Sequence, residues 1–375
     1  MRVLLLSCDT GGGHNACAGA IQEAFWERGD HCDVTDSIRF VSEKLSRFLS
    51  WGHTTMYRHI PGLFRVGYGF AEKHPQMMAE EAAVHKLLSS GTEQLYDCIK
   101  KGEYDTVICT HVFSGLLLRN MLKKHPLPLR TAFVATDYTC SPGAAGSELD
   151  VYFIPSGDLT AEFAAQGIPA EKMVASGIPV RREFYEPGNK AAAKRKLGIA
   201  PEQVHLLMMC GSMGCGPLKE LAGLLSREAD ETMAISIVCG TNEKLRNELQ
   251  EAFGALPHVH IHGFVDGMAG LMDSADLYLT KPGGLSTTEA AAKSLPMVFV
   301  DAVAGCEAYN LQYFVRAGGA VTADDPEALT GLCIELLRSP ERLEQMKMAL
   351  AALPKQNAAR RICQTMCADG KAAAV

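Results

Sequence analysis

The sequence predicts an α/β protein built from two doubly wound units, and three observations carry that expectation. Short apolar runs bounded by Gly, Pro or Asp alternate with amphipathic stretches along almost the whole chain, the pattern of strand and helix units around parallel sheets. At 375 residues the chain is long for one hydrophobic core and suits two. Glycine and proline break both periodicities between Ser176 and Gly188, which marks a join.

Residues 3–8 run apolar without alternation, as a strand covered on both faces does, and a helix is expected over 16–27. Further strands are expected over 106–110, 131–135 and 151–154, with helices over 84–101 and 159–165. In the second half, strands are expected over 204–210, 234–239, 259–262, 277–279 and 296–300. Helices from about Leu218, Glu243, Ser286, Glu307 and Pro326 separate or follow them. The resulting plan is a first domain over 1–178, a second over 179–355, and a C-terminal helix or tail over 356–375 that packs back on the first. Ligands are expected at the carboxyl ends of the strands, with the two domains facing each other across a cleft.

Apolar residues make up 47% and charged residues 21%, which excludes a disordered or fibrous chain. A net charge of −7 argues against a nucleic-acid partner. The thirteen cysteines are scattered, and the closest pair is Cys363 and Cys367. With no C-x-x-C, that spacing predicts neither a disulfide framework nor a metal site, and the compartment is read as reducing cytoplasm. No apolar run reaches the length of a spanning helix, and the opening run is too short for a signal peptide.

Three stretches carry chemistry. LLLSCDTGGGHNA, residues 4–16, places Gly11, Gly12, Gly13 and His14 in a strand-to-helix turn. It suits a nucleotide cradle, a catalytic loop or a tight turn alone. KPGGLSTTEAAA, residues 281–292, follows a strand. There Ser286 is expected to cap a helix whose free first-turn amides, at Thr287 and Thr288, would seat a diphosphate. Glu289, just inside, would accept both hydroxyls of a ribose. CGSMGCGPL, residues 210–218, ends the first strand of the same half. Its glycines let backbone approach a ligand, and its spacing is not that of a Walker loop. Two such loops in one half point to a nucleotide diphosphate.

A fourth stretch breaks the alternation. Between residues 39 and 73, Arg39, Lys44, Arg47, Arg58, Arg65 and Lys73 stand against Glu43 and Glu72 only, interleaved with Phe40, Phe48, Trp51, Tyr57, Phe64, Tyr68 and Phe70. Such a basic and aromatic island suits the headgroup region of an anionic membrane, or packing as an insertion on the first domain.

The order TGGGHNA, FIPSGDLTAEFAAQGIPAEKMVASGIPVRREF, CGSMGCGP and KPGGLSTTEAAAKSLPMVFVDAVAGCEAYNLQYFVRAGGAV resembles the monogalactosyldiacylglycerol synthase and processive diacylglycerol glucosyltransferase family, from about Arg2 to Val321. The resemblance implies a GT-B fold and an inverting transfer of a hexose from a UDP-sugar, glucose or galactose, to diacylglycerol. It also implies peripheral attachment to the cytoplasmic membrane face and no tightly bound cofactor. Carried over, Gly211, Ser212 and Gly214 line the diphosphate loop, Gly284, Ser286 and Thr287 meet the phosphates, and Glu289 holds the ribose. Phe264 resembles the position where main-chain contacts hold uracil. Glu307 and Asn310 match the donor-sugar segment, where Cys306 replaces the usual Gln. On the acceptor and membrane side the resemblance marks Gly12, Gly13, Trp51, Tyr57, Arg58, Phe64 and Arg65. The stretch after Thr136-Asp137-Tyr138 departs from the family, with Cys140-Ser141-Pro142-Gly143 in place of a histidine and bulky residues.

An inverting transfer needs a base for the acceptor hydroxyl. His14 is expected to be that base or to position the hydroxyl, with Asp137 as the alternative. Asp9 orients the loop, or it or Thr10 caps the helix. Loop amides and a helix dipole suffice for the departing UDP, so no metal is expected. The competing expectations are a peptidoglycan N-acetylglucosaminyltransferase, a sugar-nucleotide 2-epimerase, and a UDP-sugar-binding regulator without turnover.

Overall fold

A computed structural model describes residues 1–9, 12–47, 52, 83–300 and 305–368. Of the expected membrane residues, Trp51, Tyr57, Arg58, Phe64 and Arg65 lie outside these, as do Thr10 and Gly11. The chain forms two compact units. One comprises Met1–Arg182 with Ala304–Cys306 and the segment from Gln356, and the other comprises Glu183–Val303 with Glu307–Lys355.

The first unit is built on a six-stranded parallel sheet in the order β2-β1-β3-β4-β5-β6. Its strands are β1 (Arg2–Ser7), β2 (His31–Asp36), β3 (Thr106–Cys109), β4 (Arg130–Val134), β5 (Val151–Ile154) and β6 (Met173–Ala175). Leu5 lies level with Val34 on one side and Ile108 on the other. Leu4, Leu5 and Leu6 are all fully buried, which is why their run does not alternate. Each contributes roughly 1.5–3 kcal/mol by leaving water.

Helix α1 spans Gly12–Glu27 and buries Cys17, Ala18, Ile21 and Phe25. It starts before the expected position 16, so Gly12 and Gly13 belong to its first turn and not to an open loop. The helix expected over 84–101 is two helices, Ala83–Ser89 and Thr92–Gly102. Gly91 breaks it because that backbone presses on another: a side chain there would stand 3.0 Å from the main chain of Phe40 and Val41. Helix α2 (Val112–Lys124) follows β3 and buries Leu116, Leu117, Leu118 and Met121.

The second unit repeats the plan in the order β12-β11-β10-β7-β8-β9. Its strands are β7 (Val204–Met209), β8 (Met233–Val238), β9 (Val259–His262), β10 (Leu277–Thr280), β11 (Met297–Phe299) and β12 (Ala320–Thr322). All ten pairings in the two sheets are parallel. Around the central pair, helices α3 (Gly284–Ala292) and α4 (Cys306–Arg316) follow β10 and β11.

The sequence does not announce β2, β6 or β12, and all three are edge strands. β2 reads HCDVTD and is half solvated, while β6 and β12 are three residues long. An edge needs no continuous apolar run, so the signal is missing where the burial is missing. Helix α5 (Ala358–Cys367) is capped by Asn357, whose side chain accepts from the Arg360 amide at 2.9 Å. It packs on α1, where the Cys363 thiol donates to the Ala24 carbonyl at 3.7 Å. Arg130 Nη1 donates to Ala368 O at 2.7 Å and fixes the far end.

Candidate active site

In a doubly wound sheet the crevice lies where the strand order reverses, at the carboxyl ends of the two strands there. In the first unit those strands are β1 and β3. The first turn of α1, the helix that follows β1, delivers His14, and the turn after β3 delivers Thr110 and His111. His14 Nδ1 lies 2.8 Å from the Thr110 carbonyl oxygen. A carbonyl only accepts, so Nδ1 carries the proton and the lone pair of the neutral ring sits on Nε2. The Thr136 hydroxyl stands 3.3 Å from the same Nδ1, and Thr110 Oγ1 donates to the His14 carbonyl at 3.4 Å. His111 caps α2 by accepting the Phe113 amide on its own Nδ1 at 3.1 Å. The two imidazoles meet edge to face with centroids 4.7 Å apart.

Asp137 follows Thr136 in the turn after β4 and is half-buried. Its charge reaches α1, where burial first and Asp137 second raise the Cys17 thiol above its usual range. Asp9 is tied by Asn15: Ser7 Oγ donates to Asn15 Oδ1 and Asn15 Nδ2 donates to Asp9 Oδ1, both at 2.6 Å. These bonds tie Asp9 and Ser7 to the first turn of α1. Gly12 and Gly13 are exposed, and a side chain at Gly13 would meet no protein atom within 4 Å.

In the second unit the order reverses between β7 and β10. Gly211, Gly214 and Gly216, in the turn after β7, have φ of 74°, 57° and 96°. That left-handed backbone favours glycine. At Gly214 there is a second reason, since a side chain would stand 2.1 Å from the Cys239 carbonyl. The turn after β8 presses on this one: Thr241 N donates to Ser212 O at 2.9 Å and Asn242 Nδ2 to Gly214 O at 3.0 Å. Gly214 and the Ser212 carbonyl therefore serve loop-to-loop packing.

The turn after β10 corrects the expected cap. Gly283, not Ser286, is the N-cap of α3, with no side-chain cap bond. Thr287 N already donates to Gly283 O at 3.1 Å. The amides that the helical ladder leaves over are those of Gly284, Leu285 and Ser286, one turn earlier than expected. The Thr287 hydroxyl donates to Gly283 O at 2.8 Å and the Thr288 hydroxyl to Gly284 O at 2.7 Å, which tightens that turn. Glu289 is half-buried, and with Ser286 it acts on Tyr278, whose burial holds the phenol above its usual range.

Helix α4 braces the same turn. Lys281 Nζ pairs with Glu307 Oε1 at 3.2 Å, both side chains about nine-tenths buried. Asn310, fully buried, donates Nδ2 to the Pro282 carbonyl at 2.9 Å. Burial pushes the neighbouring Cys210 thiol up to about 12, with Lys281 opposing it and Glu307 adding to it. Cys306 opens α4 and is half-buried. Phe264, in the turn after β9, is 63% exposed.

The structure thus gathers His14 and Asp137 around one switch point, and the loops of Gly211 and Gly284 with Glu307 and Asn310 around the other. Sequence inspection misses Asn15, Thr110, His111, Thr136 and Lys281. The pair Thr110-His111 directly follows the run of β3, and its place beside β1 is set by the sheet pairing.

The monogalactosyldiacylglycerol synthase model matches residues 14–180, and the glycosyltransferase family 28 C-terminal domain model matches residues 205–364. A Bacillus mycoides (strain KBAB4) protein named processive diacylglycerol beta-glucosyltransferase is 26% identical over 377 residues, covering 99% of this chain and 94% of its own. Its namesake from Bacillus cereus (strain 03BB102) is 27% identical, covering 98% and 94%. Among solved structures, Acinetobacter baumannii MurG superposes with a TM-score of 0.66 at 15% identity, covering 97% of this chain and 99% of its own. The calicheamicin glycosyltransferase CalG4 gives 0.62 at 13% identity, with 98% of each chain covered. A UDP-GlcNAc 2-epimerase from Neisseria meningitidis bound to UDP-GlcNAc gives 0.61 at 16%, covering 98% and 99%. These likenesses give the fold, two α/β units of the GT-B type. With both halves matched in order, the chain belongs to the family 28 glycosyltransferases of the monogalactosyldiacylglycerol synthase and processive diacylglycerol glucosyltransferase type.

Proposed function

We propose that this enzyme moves a hexose from a UDP-sugar to the hydroxyl of diacylglycerol, with inversion, at the cytoplasmic face of the membrane. The observation that carries the mechanism is the 2.8 Å contact between His14 Nδ1 and the Thr110 carbonyl oxygen. With Nδ1–H held by the Thr110 carbonyl, the basic nitrogen is Nε2, the one suited to take a proton from an acceptor hydroxyl. As that oxygen bonds to the anomeric carbon, the bond from this carbon to the diphosphate breaks and the proton passes to Nε2. Asp137, one residue from Thr136, is the alternative base. Gly12 and Gly13 leave room beside His14 for the lipid headgroup.

The donor is assigned to the second unit. Amides of α3's first turn, with the turn carrying Gly211 and Ser212, receive the diphosphate and stabilise its charge as it leaves. Gly284 and Ser286 supply two of those amides and Thr287 shapes the turn. Glu289 takes the ribose, and the backbone at Phe264 the uracil. Glu307 and Asn310 face the sugar while bracing Lys281 and Pro282. The names of the relatives support diacylglycerol and glucose, and the UDP-GlcNAc bound by the Neisseria epimerase supports a UDP-linked donor on this fold. Among the described residues no helix is long and apolar enough to cross a membrane, and the basic aromatic island would provide peripheral attachment to anionic lipid.

The test is incubation of the purified protein with diacylglycerol in mixed micelles and UDP-glucose or UDP-galactose, following glycolipid and UDP. Glycolipid formation with loss of turnover in His14→Ala is the expected result. Turnover confined to an undecaprenyl-diphosphate acceptor, or nucleotide binding without transfer, would overturn it.

A further inference from the structure

Helix α5 carries a cluster that the glycosyl transfer does not use. Cys363 and Cys367 are four residues apart on it, so their thiols share one face. Asp30, in the turn before β2, completes the group, and one ligand atom from each residue lies within 4.8 Å of both others. All three belong to the first unit. Cys363 is buried, whereas Cys367 and Asp30 are half-buried and give access from solvent. The Asp30 carboxylate takes Arg28 Nε at 3.0 Å and the Met1 amino group at 2.9 Å, so its oxygens are already turned to meet positive charge.

We propose that Asp30, Cys363 and Cys367 bind one thiolate-preferring divalent cation of the Zn2+ class, which staples the C-terminal helix to the start of β2. Two thiolates and a carboxylate are a donor set that selects such an ion over Mg2+ or Ca2+, with water as a fourth ligand. Tetrahedral ligands at about 2.0–2.3 Å from the metal stand roughly 3.5–3.8 Å apart, so side-chain shifts of about 1 Å close the site. Each thiol loses its proton to solvent on binding, and the metal takes over the charge that Arg28 and Met1 now supply to Asp30. The C-x3-C spacing gives no metal signature by itself, because the third ligand comes from the other end of the chain.

The experiment uses the full chain, kept reduced by a phosphine and titrated with Cd2+ alone while thiolate-to-cadmium charge-transfer absorption is followed. One tight equivalent is expected, displaced by Zn2+. Cys367→Ser and Asp30→Asn should each weaken it by more than about tenfold, and Cys98→Ser, outside the cluster, should leave it unchanged. Zn2+ should also slow amide hydrogen exchange along α5 in the wild type and in Cys98→Ser, but not in Cys367→Ser. Absence of a tight equivalent, or equal binding by Cys367→Ser and Asp30→Asn, would overturn the proposal. Neither outcome depends on sugar transfer, so this site and the transferase assignment stand or fall separately.

Discussion

Gly13→Ala should stabilise the protein and disable it at once. Gly13 lies in the first turn of α1, and an added side chain there meets no protein atom within 4 Å. No clash opposes the substitution, and replacing glycine with alanine in a helix gains up to about 0.5–1 kcal/mol. If the bare backbone exists to admit an acceptor beside His14, the same methyl occupies space the headgroup needs. A loss of at least about tenfold in kcat/KM, or roughly 1.4 kcal/mol of transition-state stabilisation, is then expected. Urea unfolding midpoints report the first effect, and glycolipid formation from diacylglycerol reports the second. Destabilisation by more than about 1 kcal/mol would mean the glycine is required by the fold, and unchanged kcat/KM would mean the acceptor does not approach it. Either result refutes the argument.

The other predictions concern the base, the brace and a buried histidine. His14→Ala should lower kcat by about 100- to 10,000-fold without changing the unfolding midpoint, while Asp137→Asn keeps most activity; the reverse order would make Asp137 the base. Lys281→Met removes the cation 3.2 Å from Glu307 in a site that leaves its side chain 9% exposed, so a loss of about 3–5 kcal/mol in unfolding free energy is expected. Adding Glu307→Gln to it should recover part of that loss, and an undiminished loss would exclude the ion pair as its source. His205, fully buried between the Ser236 and Ser274 hydroxyls, is held neutral by burial, which pulls its pKa down to about 4. The unfolded histidine titrates near about 6.5, so between those values the unfolded chain binds more protons. Stability should therefore fall as pH drops from about 6.5 to 4, by of order 3 kcal/mol in total, and a His205→Gln variant should lose that slope. An equal slope in urea midpoints for both proteins would refute it.

Much of the architecture is legible in the sequence because central parallel strands are covered on both faces. Burial of Leu4, Leu5 and Leu6, and of Leu277, Tyr278 and Leu279, writes an unbroken apolar run into the chain. The glycine-rich turn after β7 is legible for a related reason, since the left-handed backbone at Gly211, Gly214 and Gly216 favours glycine. Half-solvated edges write no such run, which hides β2, β6 and β12. Where a helix begins is also hidden: Ser286 has the right chemistry for a cap, yet the ladder starts at Gly283, an extended residue whose carbonyl accepts the Thr287 amide.

Contacts between residues distant in the chain were decided by the tertiary structure alone. His14 follows three glycines in the sequence, and its proton is placed on Nδ1 by the carbonyl of Thr110, which comes after both β2 and β3. Glu307 and Asn310 can be marked as polar residues near a donor sugar, but only folding shows Lys281 and Pro282 as their partners. Cys363 and Cys367 are two thiols on a helix until the fold lays that helix on α1 and brings Asp30 against them. Sequence alone determines what each segment can bury, because hydrophobicity and backbone freedom are properties of consecutive residues. Which polar atoms meet, and in which protonation state, depends on packing that joins opposite ends of the chain.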